Sequence, residues 1–273
     1  MSQPEAELPQ ADGPPLEAVT DDAFLGGQLM LLQPRTGYRA GLDAVLLAAA
    51  APVAASRRGE TLRVLDVGAG VGAIGLCLAR RVAEAQVTLV ERDPVLARLA
   101  RENVARNGLG GRVEVIEADV AAPLAASPEL AGLVETMDLV LSNPPYNNEG
   151  LGTPAPDALK ARSHAMPVGQ LERWLRFMAS MARPDGRLAL INRAEMLAAV
   201  MAAAQGRFGA LRVRPFHPRE GADASRIIIE GRKGSRAPLT IAGGRILHDA
   251  DGRYRPDVEA VLRDGAALAD AAD

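Results

Sequence analysis

Residues 138–150, DLVLSNPPYNNEG, run an apolar strand (Leu139, Val140, Leu141) directly into Asn143, Pro144, Pro145 and Tyr146. An amide, two rings that fix φ and an aromatic face stand together where a strand leaves the core. A rigid turn is the plain alternative. A second group ends an earlier strand: LDVGAGVGAIG supplies Asp66, Gly68, Gly70 and Gly72. Glycines so spaced let the backbone turn sharply and approach a ligand, while the next helix offers free amides. A dinucleotide fingerprint would want its third glycine at position 73, which is alanine here. The acid two residues before Gly68 would repel a pyrophosphate but could accept hydrogen bonds from a zwitterionic amino-acid moiety. Glu91, 21 residues after Gly70, is placed to take both hydroxyls of a ribose, and Asp119 of EAD to accept from an adenine amine.

These groups act together only if the chain brings them to one edge. TLRVLDVG (61–68), AQVTLVE (85–91), RVEVIEAD (112–119), MDLVLSN (137–143) and GRLALIN (186–192) read as strands. Between the first two, AIGLCLARRVA has apolar residues at helical spacing. DPVLARLARENVARNG (93–108) opens with an Asp cap and Pro94 and stops at Gly108. Helices are expected at about 168–182 and 193–206, and two last strands near 210–216 and 225–231. Alternation of strand and helix predicts parallel pairing with right-handed crossovers in a doubly wound α/β sheet. Ligands of such sheets bind beyond the carboxyl ends of the strands, where Asp66, Glu91, Asp119 and Asn143 fall.

At 273 residues, 48% hydrophobic, the chain can bury one substantial core. Residues 1–22, rich in proline, glycine and acids, are expected to form a disordered tail, and residues 266–273 a frayed end. The lone Cys77 excludes an intramolecular disulfide, suits a reducing compartment and reads as a small buried hydrophobe. The opening residues have no basic-then-apolar leader, and AVLLAAAAPVAA is too short to span a bilayer. A soluble, cytoplasmic protein with no membrane partner is therefore expected. Net charge is -3, so nucleic-acid binding would rest on a local patch. In LERWLRFMASM, Trp174, Phe177, Met178 and Met181 recur at helical spacing and read as core packing.

D-x-G-x-G-x-G, a ribose acid, E-A-D and N-P-P-Y, in this order, resemble the class I S-adenosylmethionine-dependent methyltransferases, specifically the branch that methylates planar amino nitrogens. The resemblance implies a Rossmann-like, mostly parallel seven-stranded sheet with small N-terminal and C-terminal additions. It implies S-adenosylmethionine as cofactor, S-adenosylhomocysteine as its product, and no metal. Asp66, Gly68, Gly70, Gly72, Glu91 and Asp119 would hold the donor, and Asn143, Pro144, Pro145 and Tyr146 would act on the acceptor. An adenine amine or glutamine amide is a poor nucleophile because its lone pair is delocalised. The Asn143 side-chain oxygen and Pro144 carbonyl would accept its N–H hydrogens and draw the nitrogen toward tetrahedral geometry, while Tyr146 stacks on the flat substrate.

The segment 22–51, with GYRAGLDAVLLAA entering a helix, resembles the bacterial tRNA1(Val) adenine-37 N6-methyltransferases, whose members carry a similar G-x-D-x-x-L-L segment beside the donor. That likeness spans 23–265, divided into an N-terminal hairpin and helix (23–58), a core (59–236) and a C-terminal hairpin and helix (237–265). It implies an RNA partner, a tRNA whose position-37 adenine turns outward from a single-stranded anticodon loop; the oligomeric state stays open, with a monomer favoured. Asp43 would lie near the donor or substrate pocket; its alternative is a helix cap for 44–51. Candidate RNA contacts are Arg35, Arg39, Arg226, Arg232, Lys233 and Arg236; His164 either lines the base pocket or, the favoured reading, is a surface loop histidine. Two rival readings stay open: a protein glutamine N5-methyltransferase acting on a release factor, and a donor-binding, RNA-associated factor without catalysis.

Overall fold

The computed structural model describes residues 18–37, 39–53, 60–145 and 169–268. An antiparallel hairpin comes first, β1 (Val19–Phe24) against β2 (Leu29–Pro34), followed by α1 (Leu42–Ala50). The alternating core then runs β3 (Leu62–Val67), α2 (Ala73–Arg81), β4 (Ala85–Glu91), α3 (Pro94–Arg106), β5 (Val113–Glu117), α4 (Pro128–Ala131) and β6 (Met137–Ser142). After it come α5 (Gln170–Met181), β7 (Ala182–Arg193), α6 (Leu197–Ala204), β8 (Phe208–His217), β9 (Arg226–Lys233), β10 (Thr240–Ile241), β11 (Arg245–Ile246) and α7 (Pro256–Asp264). Among the described residues nine strands form one sheet in the order β10-β8-β9-β7-β6-β3-β4-β5, with β11 also paired to β8.

The central strands are covered on both faces, so they read as continuous apolar runs rather than alternating ones. Leu139, Val140 and Leu141 of β6 and Leu188–Ile191 of β7 are almost wholly buried. Alternation divides them between two cores. Val64, Leu139 and Ile191 pack with residues of α1, α2 and α7, and Leu65, Val140 and Leu190 pack with residues of α5 and α6. Each fully buried Leu or Val of this kind contributes about 1.5–3 kcal/mol. Cys77 lies in the first core, 2% exposed, and burial pushes its thiol up to about 12, which leaves it inert. Asp93 caps α3 as its sequence predicts, its Oδ1 accepting from Val95 and Leu96 N–H at 2.9 and 3.2 Å, with Pro94 at the first helical position.

Three boundaries differ from the sequence reading. Residues 19–22 are not tail: they form β1, and Asp21 and Asp22 meet Arg106 and Arg39 at 2.7 and 2.6 Å. At the other end Leu268 is 7% exposed and its N–H donates to Ala49 O at 2.9 Å, so order persists past residue 265. The sheet exceeds seven strands because β10 and β11 add to the free side of β8, both parallel to it. They do not pair with each other; the turn that does form closes on the single antiparallel bridge His248–Tyr254. β9 runs antiparallel to both neighbours. Only the loop 218–225 joins it to β8, too short for a parallel crossover, which needs a dozen or more residues.

Candidate active site

The glycine turn leaves β3 at Val67 with Gly68, Gly70 and Gly72 at φ of 71°, 58° and 87°, the left-handed region where a side chain is strained. Gly68 and Ala69 N–H both donate to Val90 O at 2.9 Å, strapping the turn to β4. Glu91 then ties it down from the end of that strand. Its Oε2 accepts from Gly70 N–H at 2.8 Å, and its Oε1 from Arg92 and Asp93 N–H, both at 2.9 Å. Three backbone amides thus hold the group, and of the roughly four lone-pair sites of a carboxylate one on Oε2 stays open.

Asp66 lies deeper. The residue is 0% exposed and its carboxyl group sits under the first turn of α2, accepting from Gly75 N–H at 3.0 Å. Burial pushes its pKa up to about 7, the Gly75 hydrogen bond opposing and the nearby Glu91 charge adding to the rise. Its Oδ1 is buried with no hydrogen-bond partner among the described residues.

Asp119 lies two residues past β5 and is exposed, with Oδ1 engaged by Ala121 N–H at 2.8 Å. Strands β5, β4, β3 and β6 are neighbours, so Asp119, Glu91, Gly68 and Asn143 stand in a row along one carboxyl edge. Asp66 pairs in register with Leu141. Gly68 and Asn143 are the first residues past the ends of these two neighbouring strands. Ser142 Oγ donates from one strand to the other, to Val67 O at 2.8 Å, and accepts from Trp174 Nε1 at 2.9 Å. Asn143 and Pro145 are half-buried and Pro144 is buried; Tyr146 and His164 lie outside the described residues.

The remaining candidates separate. Asp43 does not cap α1, whose N-cap is Gly41; it forms an ion pair with Arg226 Nε at 2.9 Å. Arg226 opens β9 opposite Arg193, the last residue of β7, so this pair also stands at the carboxyl edge. Arg35 and Arg39 lie at the open end of the hairpin, where Val19, Leu32 and Ala40 pack on Val71 of the glycine turn. Arg39 is bound to Asp22 at 2.6 Å and to Pro34 O at 2.9 Å. Arg232 and Lys233 are elsewhere. Because β9 is antiparallel, they sit at the amino edge, roughly 20 Å from Arg226 by strand rise. There they meet Asp185 at 3.0 Å and Glu135 at 2.9 Å. Arg236 follows three residues beyond the end of β9. The candidate cluster at 232–236 therefore begins at the edge of the sheet opposite Asn143.

Sequence reading missed three residues at this edge. Ser142 was hidden in an apolar run and Trp174 in a helical stripe. Asn103 is 0% exposed, and its Nδ2 donates to Val71 O in the glycine turn at 3.1 Å and to Leu32 O in β2 at 3.0 Å. The signal for it was an amide at i, i+4 from Asn107 on an otherwise apolar helix face. Among the described residues, no group of three or more His, Cys, Asp or Glu side chains could hold a metal ion, and no helix is long and apolar enough to cross a membrane.

Sheet order, glycine turn and strand-end row define a Rossmann-like methyltransferase fold. The profile of the methyltransferase small domain family matches residues 45–159. The tRNA1(Val) (adenine(37)-N6)-methyltransferase of Porphyromonas gingivalis is 30% identical over 241 residues, covering 86% of this chain and 91% of that one. The enzyme of the same description from Aeromonas hydrophila is 33% identical over 238 residues, covering 86% and 92%. A crystal structure from Agrobacterium tumefaciens, described as a predicted O-methyltransferase, protein Atu636, superposes with a TM-score of 0.66 at 33% identity, covering 85% of this chain and 99% of that one. The chain belongs to the tRNA1(Val) (adenine(37)-N6)-methyltransferase family. It is an S-adenosylmethionine-dependent methyltransferase.

Proposed function

We propose that the chain transfers a methyl group to the exocyclic N6 of adenine 37 in a tRNA anticodon loop. The observation that carries this reading is the register that sets Asn143 and Pro144 beside the glycine turn at one carboxyl edge, in a chain whose relatives bear that name. S-adenosylmethionine, when bound, supplies an electrophilic methyl on its sulfonium.

The residues present fit that donor. The turn has no side chains at Gly68, Gly70 and Gly72 to block it, Glu91 keeps one lone-pair site for a ribose hydroxyl, and the Asp119 carboxylate is exposed for an adenine amine. On the acceptor side the chain needs no titrating base at the outset: the nitrogen becomes cationic and acidic only once methylated, and then releases one N–H proton to solvent. The Asn143 amide oxygen and the Pro144 carbonyl accept the two N–H bonds of the amine, which localises its lone pair and aims it across the gap. Two prolines in succession hold the Pro144 carbonyl in one direction. Tyr146 stacks on the flat base, worth about 1–3 kcal/mol. Orientation of this kind supplies up to about 7–11 kcal/mol of a barrier. Arg35 and Arg39 at the open end of the hairpin, and Arg226 at the carboxyl edge, would meet the nucleotide phosphates.

The test is to incubate the protein with labelled donor and, in separate reactions, unmodified tRNA and release factor, then digest and identify the labelled residue. N6-methyladenosine at position 37 is expected. Label on a glutamine, or on a sugar hydroxyl, overturns the reading.

A further inference from the structure

Trp174 is the only tryptophan in the chain and is 8% exposed on α5. Core packing accounts for its burial but not for what one edge of the ring touches. The indole N–H donates to Ser142 Oγ at 2.9 Å, and that hydroxyl, 0% exposed, donates in turn to Val67 O at 2.8 Å. Next to the N–H on the same edge, the six-membered ring lies on Gly68 so closely that a Cβ there would stand 2.7 Å from Cζ2 and 2.9 Å from Cη2. Ser142 immediately precedes Asn143, and Val67 immediately precedes Gly68. A single rigid side chain therefore spans the foot of the acceptor loop and the first residue of the donor turn.

An apolar position on this helix would be filled by leucine, phenylalanine or methionine, as at Leu175, Phe177 and Met178. A buried indole N–H needs an acceptor, and the strand supplies one with a serine in an otherwise apolar run. We propose that Trp174 is a positioning residue that sets the separation of the glycine turn from the Asn143 loop, and hence of the methyl donor from the acceptor nitrogen. This inference rests on the reading of the reaction given above. Trp174 does not touch the reacting atoms; it acts through Ser142 and through Gly68. A misplacement of about 1 Å between reacting groups costs roughly 100-fold in rate, so a spacer that fixes this gap is felt in the chemical step more than in binding.

Because the chain has one tryptophan, emission excited selectively in the indole band, beyond the absorption of its three tyrosines, reports on this ring. S-adenosylmethionine and, separately, S-adenosylhomocysteine are titrated into the wild type and Ser142→Ala while emission is followed, and steady-state transfer to tRNA is measured for Trp174→Phe, Ser142→Ala and the double variant. A saturable emission change on donor binding is expected, with a shifted baseline in Ser142→Ala. Both single variants should lose roughly 10- to 100-fold in kcat with the tRNA KM within about threefold, and the double variant should be no slower than the slower single. If Trp174→Phe does not fold, Ser142→Ala decides. Emission indifferent to saturating donor, wild-type kcat in folded variants, a rise in KM alone, or losses that multiply in the double variant would each overturn the proposal. A donor-induced emission change in a wild-type protein that methylates no tRNA overturns the substrate reading and leaves the spacing role standing.

Discussion

Asn143 and Asp66 both close strands at the carboxyl edge, yet their surroundings give them opposite duties. Asn143 is half-buried at the mouth, whereas Asp66 has no exposed surface and a carboxyl pushed from the ordinary 3.8 up to about 7. Its folded value lies above its unfolded one, so the folded protein holds this proton more tightly. The stabilisation is complete below about pH 4 and is lost as pH rises through about 7. The ionised group costs the fold about 4 kcal/mol at most. Asp66→Asn keeps an acceptor for Gly75 N–H and has no charge to bury. Thermal unfolding across pH 4–8 should therefore show the variant gaining on the wild type as pH rises. A constant offset at all pH values would contradict this account of Asp66.

At the scale of elements, the hairpin β1–β2 is joined to the core by side chains that imitate a strand. Asn103 and Asn107, one turn apart on α3, each accept from and donate to the backbone of β2, at Leu32 and Met30. Asn103 also reaches Val71 O in the glycine turn, so one amide couples hairpin, helix and donor loop. Asn103→Leu should lower stability by about 2–4 kcal/mol in denaturant titrations, since it strands three buried backbone groups; a loss under about 0.5 kcal/mol would argue against the coupling. Gly68→Ala meets both a φ of 71° and the Trp174 ring at 2.7 Å. Donor affinity measured by calorimetry should fall at least about tenfold, as the left-handed region costs roughly 1–2 kcal/mol before any clash.

The central sheet was legible because buried parallel strands announce themselves as apolar runs and their helices by cap residues such as Asp93. β1 was lost into a tail because Asp21 and Asp22 look like disorder until Arg106 and Arg39 are brought to them from far along the chain. The turn of the candidate site was legible where a residue's type fits its backbone, as at Gly68 and Gly70. The site was not legible at Trp174, Ser142 and Asn103, whose task depends on contacts between segments 32 to 75 residues apart.

Across the whole molecule the direction of β9 decides which charges can serve the site. It carries Arg226 at the carboxyl edge and Arg232 and Lys233 at the amino edge. Arg232→Gln combined with Arg236→Gln should leave the tRNA KM within about threefold, while Arg226→Gln, which also removes the ion pair with Asp43, should raise it and flatten its dependence on salt. Equal effects from the two edges would mean that the RNA wraps the sheet.

The central claim is that the amide at the end of β6 orients the acceptor amine against a donor held by the adjacent turn. Single-turnover methylation of unmodified tRNA by Asn143→Ala, with donor affinity measured on the same preparation, tests it most directly. The account predicts a rate lower by roughly 100- to 1,000-fold with donor affinity within about threefold of wild type. Transfer at the wild-type rate, from a variant that binds donor normally, would contradict it.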